Sequence, residues 1–193
     1  YVRPVAWRGS EMMAVSAQKN KINVAIATWE WPSYFLKEDR LKGIALQTAI
    51  WRRPAPDTIP TDAKAAGLYM ICTLSKHEAE KNGYSDALML DYKGRISEST
   101  GSNIFFVING EIHTPIPDCF LNGITRQTVI DIAKSQNINV IEREIYPDEI
   151  KNADEIFLTG SAVEVTPVGK IDDQIFNVGE VTKTVSELYM KTV

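Results

Sequence analysis

β-Branched and aromatic residues gather in two short runs near the start of the chain, residues 1–7 and 22–29, and both predict strands. Gly9-Ser10-Glu11-Met12-Met13 predicts the loop between them. Residues 30–37 carry a proline and no clear period, which marks them as a connection between domains. An apolar run from Ile44 to Trp51 predicts the next strand. Ala63 to Asn82 predicts a helix, with Thr61 as N-cap and Gly83 as stop. Residues 86–91 read as a short strand and Lys93-Gly94 as a turn. Residues 103–108 and 111–114 form a hairpin across Asn109-Gly110, the strongest local turn signal in the chain. Thr125 is expected to cap a helix over 126–136, with apolar Val129, Ile130, Ile132 and Ala133. Strands near 139–145, 154–159 and 163–169 follow, with a short helix started by Pro147 among them, and a last helix over 181–190.

Strands and helices therefore interleave, the pattern of a mixed α/β fold. With 193 residues and 44% hydrophobic content, the chain can form one large domain, or one domain and part of a second, around a real core. A net charge of -4 without a basic stretch leaves no footprint for nucleic acid or for a membrane surface. The apolar runs break well short of the roughly 18 residues that a spanning helix needs. There is no internal repeat, no GxGxxG fingerprint and no P-loop. Cys72 and Cys119 are too few for a disulfide framework or a zinc site, so no metal is expected, and Cys72 reads as a buried core thiol. His77 and His113 stand alone and read as structural. No secretory leader is visible, so a reducing cytoplasm is the expected compartment. Residues 1–7 read as mid-domain strand without an initiator Met, so the chain is expected to be the C-terminal part of a longer protein.

The candidate chemistry centres on Lys64, in Thr61-Asp62-Ala63-Lys64-Ala65-Ala66-Gly67-Leu68-Tyr69, where small side chains leave room for a planar ligand to reach the amine. Partial desolvation would make that amine a nucleophile suited to a Schiff base. Glu98, among small polar residues, could keep a pyridine nitrogen protonated, although composition alone favours a solvated turn acid. Asn122-Gly123-Ile124-Thr125 leads into a helix and Thr159-Gly160-Ser161-Ala162 ends an apolar strand, so each could present amides and hydroxyls to an anion. Arg3, alternating with Tyr1 on one strand face, could pair with a carboxylate. Tyr69 could hydrogen-bond a phenolic oxygen. Lys64 and Tyr69 would not share a face of an ideal helix, so their pairing requires Lys64 to precede the regular helix.

Together these segments resemble the branched-chain amino acid aminotransferases, of the fold-type IV class of pyridoxal-phosphate enzymes. The resemblance is carried by Arg53-Pro54-Ala55-Pro56-Asp57-Thr58-Ile59-Pro60, Ala63-Lys64-Ala65, Ile96-Ser97-Glu98 with Gly101 and Asn103, Gly123-Ile124-Thr125-Arg126 and Thr159-Gly160-Ser161-Ala162. It implies a barrel-like α/β large domain from about residue 38 to 193, a remnant of a small α+β domain over 1–30, and an interdomain loop over 31–37. It also implies pyridoxal 5'-phosphate as cofactor, with Lys64 as the catalytic Schiff-base lysine, Glu98 at the ring nitrogen and Tyr69 at the phenolic oxygen. Ile124, Thr125 and Ser161 would hold the phosphate, and Gly101, Asn103, Leu121, Gly123 and Gly160 would complete the cofactor site. Tyr1, Arg3 and the Ser161 and Ala162 amides would face a substrate carboxylate, with Trp31 and Tyr34 walling the side-chain pocket. The reaction implied is transamination between leucine, isoleucine or valine and 2-oxoglutarate, by a homodimer. A D-amino acid aminotransferase, an aminodeoxychorismate lyase or a catalytically incomplete cofactor-binding fragment are the alternatives. The last is motivated by the expected loss of an upstream segment that in the family carries a phosphate-clamping arginine.

Overall fold

The computed structural model describes residues 1–31, 34–35 and 42–193. The chain divides into two compact units, Tyr1–Tyr34 and Phe35–Val193. Most of the expected interdomain loop, and the expected start of the large domain at residue 38, lie outside the described residues.

The N-terminal unit is an antiparallel pair, β1 (Val2–Arg8) and β2 (Ile22–Thr28), in which Val2 faces Thr28 and Arg8 faces Ile22. Both strands follow their β-branched content. Beyond β2, Trp29 stacks on Trp31 with ring centres 5.5 Å apart, and the Tyr1 ring lies 5.2 Å from Trp29 and 4.9 Å from Trp31.

Among its described residues, the C-terminal unit contains nine strands in one sheet: β3 (Ile44–Arg53), β4 (Asp86–Asp91), β5 (Ile96–Ser99), β6 (Asn103–Ile108), β7 (Glu111–Pro115), β8 (Val140–Arg143), β9 (Glu155–Gly160), β10 (Glu164–Ile171) and β11 (Gln174–Ile175). Among the described residues, three longer helices accompany them: α1 (Tyr69–Lys81), α2 (Ile124–Ser135) and α3 (Glu180–Thr192). β10 pairs with β3, β3 with β4, β4 with β5, β5 with β6, β6 with β9, and β9 again with β10. Six strands thus close on themselves, which removes their edges and yields the expected barrel.

Closure explains why β4, β6 and β9 read as unbroken apolar runs: both of their faces are covered. Side chains alternate across each strand and divide the runs between two cores. Leu46, Leu88, Ile104, Phe106, Ile156 and Leu158 point into the barrel. Phe105, Val107, Phe157 and Val165 point outward against Val129, Ala133 and Val185 of α2 and α3. Phe105 and Phe157 stack there with ring centres 5.0 Å apart and planes 6° from parallel. The hairpin between β6 and β7 turns where predicted, with Asn109 and Gly110 both at positive φ (53° and 79°), as a two-residue turn with matching twist requires.

Two helix starts differ from expectation. α1 begins at Tyr69, not Ala63, after a single 3-10 turn at Ala66–Leu68. Thr61 does not cap it, because its hydroxyl is drawn away to the Asp118 carbonyl at 3.0 Å. α2 begins at Ile124 with Gly123 as its N-cap, so Thr125 lies inside the first turn. Asn103 Oδ1 accepts the N–H of Gly123 itself at 3.2 Å, so a neighbouring strand fixes the N-cap residue while the first-turn amides stay open.

Candidate active site

One end of the barrel opens into a cavity of about 310 Å³, within the size range of small-molecule sites. The ends of β3, β5 and β9, the start of β6, the segment before α1 and the start of α2 surround it. Every residue expected to hold the cofactor lines it: Lys64, Tyr69, Glu98, Gly101, Asn103, Leu121, and then Gly123, Ile124, Thr125, Gly160 and Ser161. Ala162 follows Ser161 outside the lining. Tyr1, Arg3, Trp31 and Tyr34 belong to the N-terminal unit, where Trp31 and Tyr34 sit 6.2 Å apart and the Arg3 guanidinium lies 5.7 Å from the Tyr1 ring centre.

Lys64 lies in the extended approach to the 3-10 turn. That placement lets its Nζ donate to the Tyr69 hydroxyl at 3.0 Å, a contact a continuous helix would not allow. The condition of partial desolvation is not met here. Lys64 is exposed, because the small side chains that give a ligand access admit water by the same route.

Glu98 is a buried strand residue, 7% exposed, which overturns the reading as a solvated turn acid. Burial drives its carboxyl up to about 7, against the opposing pull of the Arg53 and Lys64 charges. The Arg53 guanidinium, itself 4% exposed, stands 3.3 Å from Glu98 Oε1. It also donates to the Cys119 carbonyl and to Cys72 Sγ, each at 3.3 Å. Cys72 is buried as expected and also lines the cavity, its thiol raised by burial while Arg53 opposes the shift.

At the other end, the first regular bond of α2 runs from Gln127 N–H to Gly123 O at 3.1 Å. The amides of Ile124, Thr125 and Arg126 therefore have no intrahelical acceptor, and the helix dipole adds positive potential there. Thr159 Oγ1 is buried at the cavity wall without a hydrogen-bond partner. A buried hydroxyl left open in this way leaves a donor free for a ligand. Gly123 is required by close approach, since a Cβ there would lie 2.5 Å from Asn103 Oδ1.

Asn103 has both ends of its amide engaged. Nδ2 donates to Leu121 O at 2.9 Å and Oδ1 accepts from Gly123, so Asn103 holds the loop that carries the anion-facing amides. Arg53, Thr100 and Ser102 also line the cavity and had no expected role, while Asn122 and Thr159 line it from the two segments expected to face an anion. Arg53 carried one signal in sequence. Of the adjacent Arg52 and Arg53 ending an apolar strand, alternation sends only one toward the interior.

The family description "Amino-transferase class IV" matches residues 1–171. The chain is 40% identical over 198 residues to the probable branched-chain-amino-acid aminotransferase of Rickettsia bellii, covering 100% of this chain and 67% of that protein. Among solved structures, the branched-chain amino acid aminotransferase of Escherichia coli superposes with a TM-score of 0.95 at 37% identity, over 99% of this chain and 64% of that one. An aminotransferase from Brucella abortus, bound to the co-factor PLP, superposes with a TM-score of 0.85 at 33% identity, over 100% of this chain and 68% of that one. The chain thus spans about two thirds of the length of these relatives.

Proposed function

Because the chain belongs to the class IV amino-transferase family, we propose that its cavity serves pyridoxal-phosphate-dependent transamination of branched-chain L-amino acids with 2-oxoglutarate. The observation that carries this reading is one cavity with a reachable lysine, a buried carboxylate and an open helix N-terminus on its walls. The residues fit the cofactor. Glu98 suits the ring nitrogen, while the Ile124 and Thr125 amides and the unpartnered Thr159 hydroxyl suit a phosphate.

When bound, pyridoxal 5'-phosphate supplies a ring that accepts the electron pair released as the substrate Cα loses its proton. Lys64 holds the cofactor through Nζ and then moves the Cα proton, with the Tyr69 hydroxyl orienting Nζ. Glu98 holds a proton at the ring nitrogen, and Arg53 keeps the carboxyl in position. Ser161 and the first turn of α2 bind the phosphate. The Ser161 and Ala162 amides take the substrate carboxylate.

The test adds pyridoxal 5'-phosphate to the purified chain and follows the visible band of lysine-bound cofactor, then glutamate formation from L-leucine and 2-oxoglutarate. Both signals are expected, and both vanish in Lys64→Ala. A band that survives Lys64→Ala removes the role given to Lys64. Turnover of D-alanine without L-leucine removes the substrate assignment, and a band without turnover leaves a cofactor-binding fragment. The homodimer is part of this reading and is checked by sedimentation velocity.

A further inference from the structure

Three parts of the cavity converge on one loop, residues 116–122, between β7 and α2. Asp118 O accepts the hydroxyl of Thr61, three residues before Lys64, at 3.0 Å. Cys119 O accepts Nε of Arg53, the partner of Glu98, at 3.3 Å. Leu121 O accepts Nδ2 of Asn103, which in turn holds the Gly123 N–H at the start of α2. The lysine segment, the Arg53–Glu98 pair and the anion-facing helix are therefore all tied to the backbone carbonyls of one loop.

The loop is held from the opposite side by Arg95, which is buried in the turn before β5. Its Nη2 meets Asp118 Oδ2 at 2.9 Å, its Nε meets Asp91 Oδ2 at 2.6 Å and its Nη1 meets Glu144 Oε1 at 2.5 Å. Asp91, Asp118 and Cys119 bring ligand-type atoms within 4.8 Å of one another. Arg95 already neutralises both carboxylates, however, and burial together with the Asp118 charge pushes the Cys119 thiol up to about 12. The cluster is an arginine clamp rather than a cation site. Its geometry suits the planar fork, which meets the three carboxylates from three separate nitrogens, whereas a lysine ammonium offers a single nitrogen.

We propose that Arg95 is a positioning residue for the site: through Asp118 it fixes the loop whose carbonyls align Lys64, the Arg53–Glu98 pair and the N-terminus of α2. The proposal rests on the reading of the cavity as a pyridoxal-phosphate site.

The experiment compares Arg95→Lys, Asp118→Asn and the double variant with the unaltered chain. Two quantities are read: the dissociation constant of pyridoxal 5'-phosphate from its visible band, and amide hydrogen exchange at Gly123 without cofactor. Each single variant is expected to weaken binding about tenfold and to speed Gly123 exchange by a similar factor. The double variant should be no worse than Arg95→Lys, since both changes weaken the same charged link. Glu155→Gln, which loosens the N-terminus of α3 away from the loop, sets the baseline for general destabilisation. Unchanged affinity and exchange in a folded Arg95→Lys, effects that add in the double variant, or the same Gly123 exchange in Glu155→Gln would each overturn the proposal. Should Arg95→Lys not fold, Asp118→Asn decides alone, because it leaves Arg95 its bonds to Asp91 and Glu144. If the unaltered chain binds no cofactor, the reading of the cavity fails instead, and Gly123 exchange still decides the role of Arg95 in placing the loop.

Discussion

Glu98 should destabilise the cofactor-free protein at neutral and alkaline pH, and replacing it with glutamine should remove that effect. Its carboxyl lies at about 7 in the folded chain against an ordinary 4.5. At roughly 1.4 kcal/mol per unit, the folded state favours the neutral carboxyl by about 3 kcal/mol. The sign follows from the direction of the shift. A carboxyl raised on folding contributes its stability in full below about 4.5 and loses it as pH rises through about 7. Glu98→Gln keeps the size of the neutral acid and an acceptor for Arg53, but it cannot ionise. Urea unfolding of both proteins without cofactor should give similar stabilities at pH 4.5. At pH 8 the variant should be the more stable, by about 3 kcal/mol. A difference independent of pH would refute the reasoning. So would a less stable variant at pH 8, because it would mean that the Arg53 charge, not burial, sets the protonation of Glu98.

Three further outcomes follow from the geometry. Tyr69→Phe removes the 3.0 Å hydroxyl partner of Lys64 and should weaken cofactor affinity about fivefold, the worth of about 1 kcal/mol for one hydrogen bond, as read by titration of the visible band. Gly123→Ala drives a Cβ to 2.5 Å from Asn103 Oδ1 and should cost about 1–3 kcal/mol in urea unfolding, with a parallel loss of phosphate-dependent binding. Glu155 accepts the N–H groups of Val181 at 3.2 Å and Thr182 at 2.8 Å, so Glu155→Ala should cost about 1–2 kcal/mol of stability. The cofactor titration should not change in that variant.

The elements were largely legible in the chain because their causes are local. Asn109-Gly110 turns the β6–β7 hairpin whatever surrounds it, since both residues tolerate positive φ. The two helix starts were misplaced because the deciding bonds come from afar. Thr61 is claimed by Asp118, 57 positions away, and Gly123 is held by Asn103, 20 positions away. The role of Arg53 beside Glu98 is illegible in the chain for the same reason. Arg53 stands 45 positions from Glu98, and only the ring of β3, β4 and β5 brings the two side chains to 3.3 Å.

Residue order alone settled which groups were available: a lysine with small neighbours, a carboxylate among small polar residues, and two segments rich in amides and hydroxyls. It also required Lys64 to lie outside the regular helix if Tyr69 was to reach it, because helical rotation over five residues is a local quantity. Closure of the barrel decided what those groups are. It buries Glu98 beside Arg53 and raises its carboxyl, and it leaves Thr159 facing the cavity without a partner. Protonation and desolvation depend on everything within several ångströms in space, and a linear sequence does not carry that information.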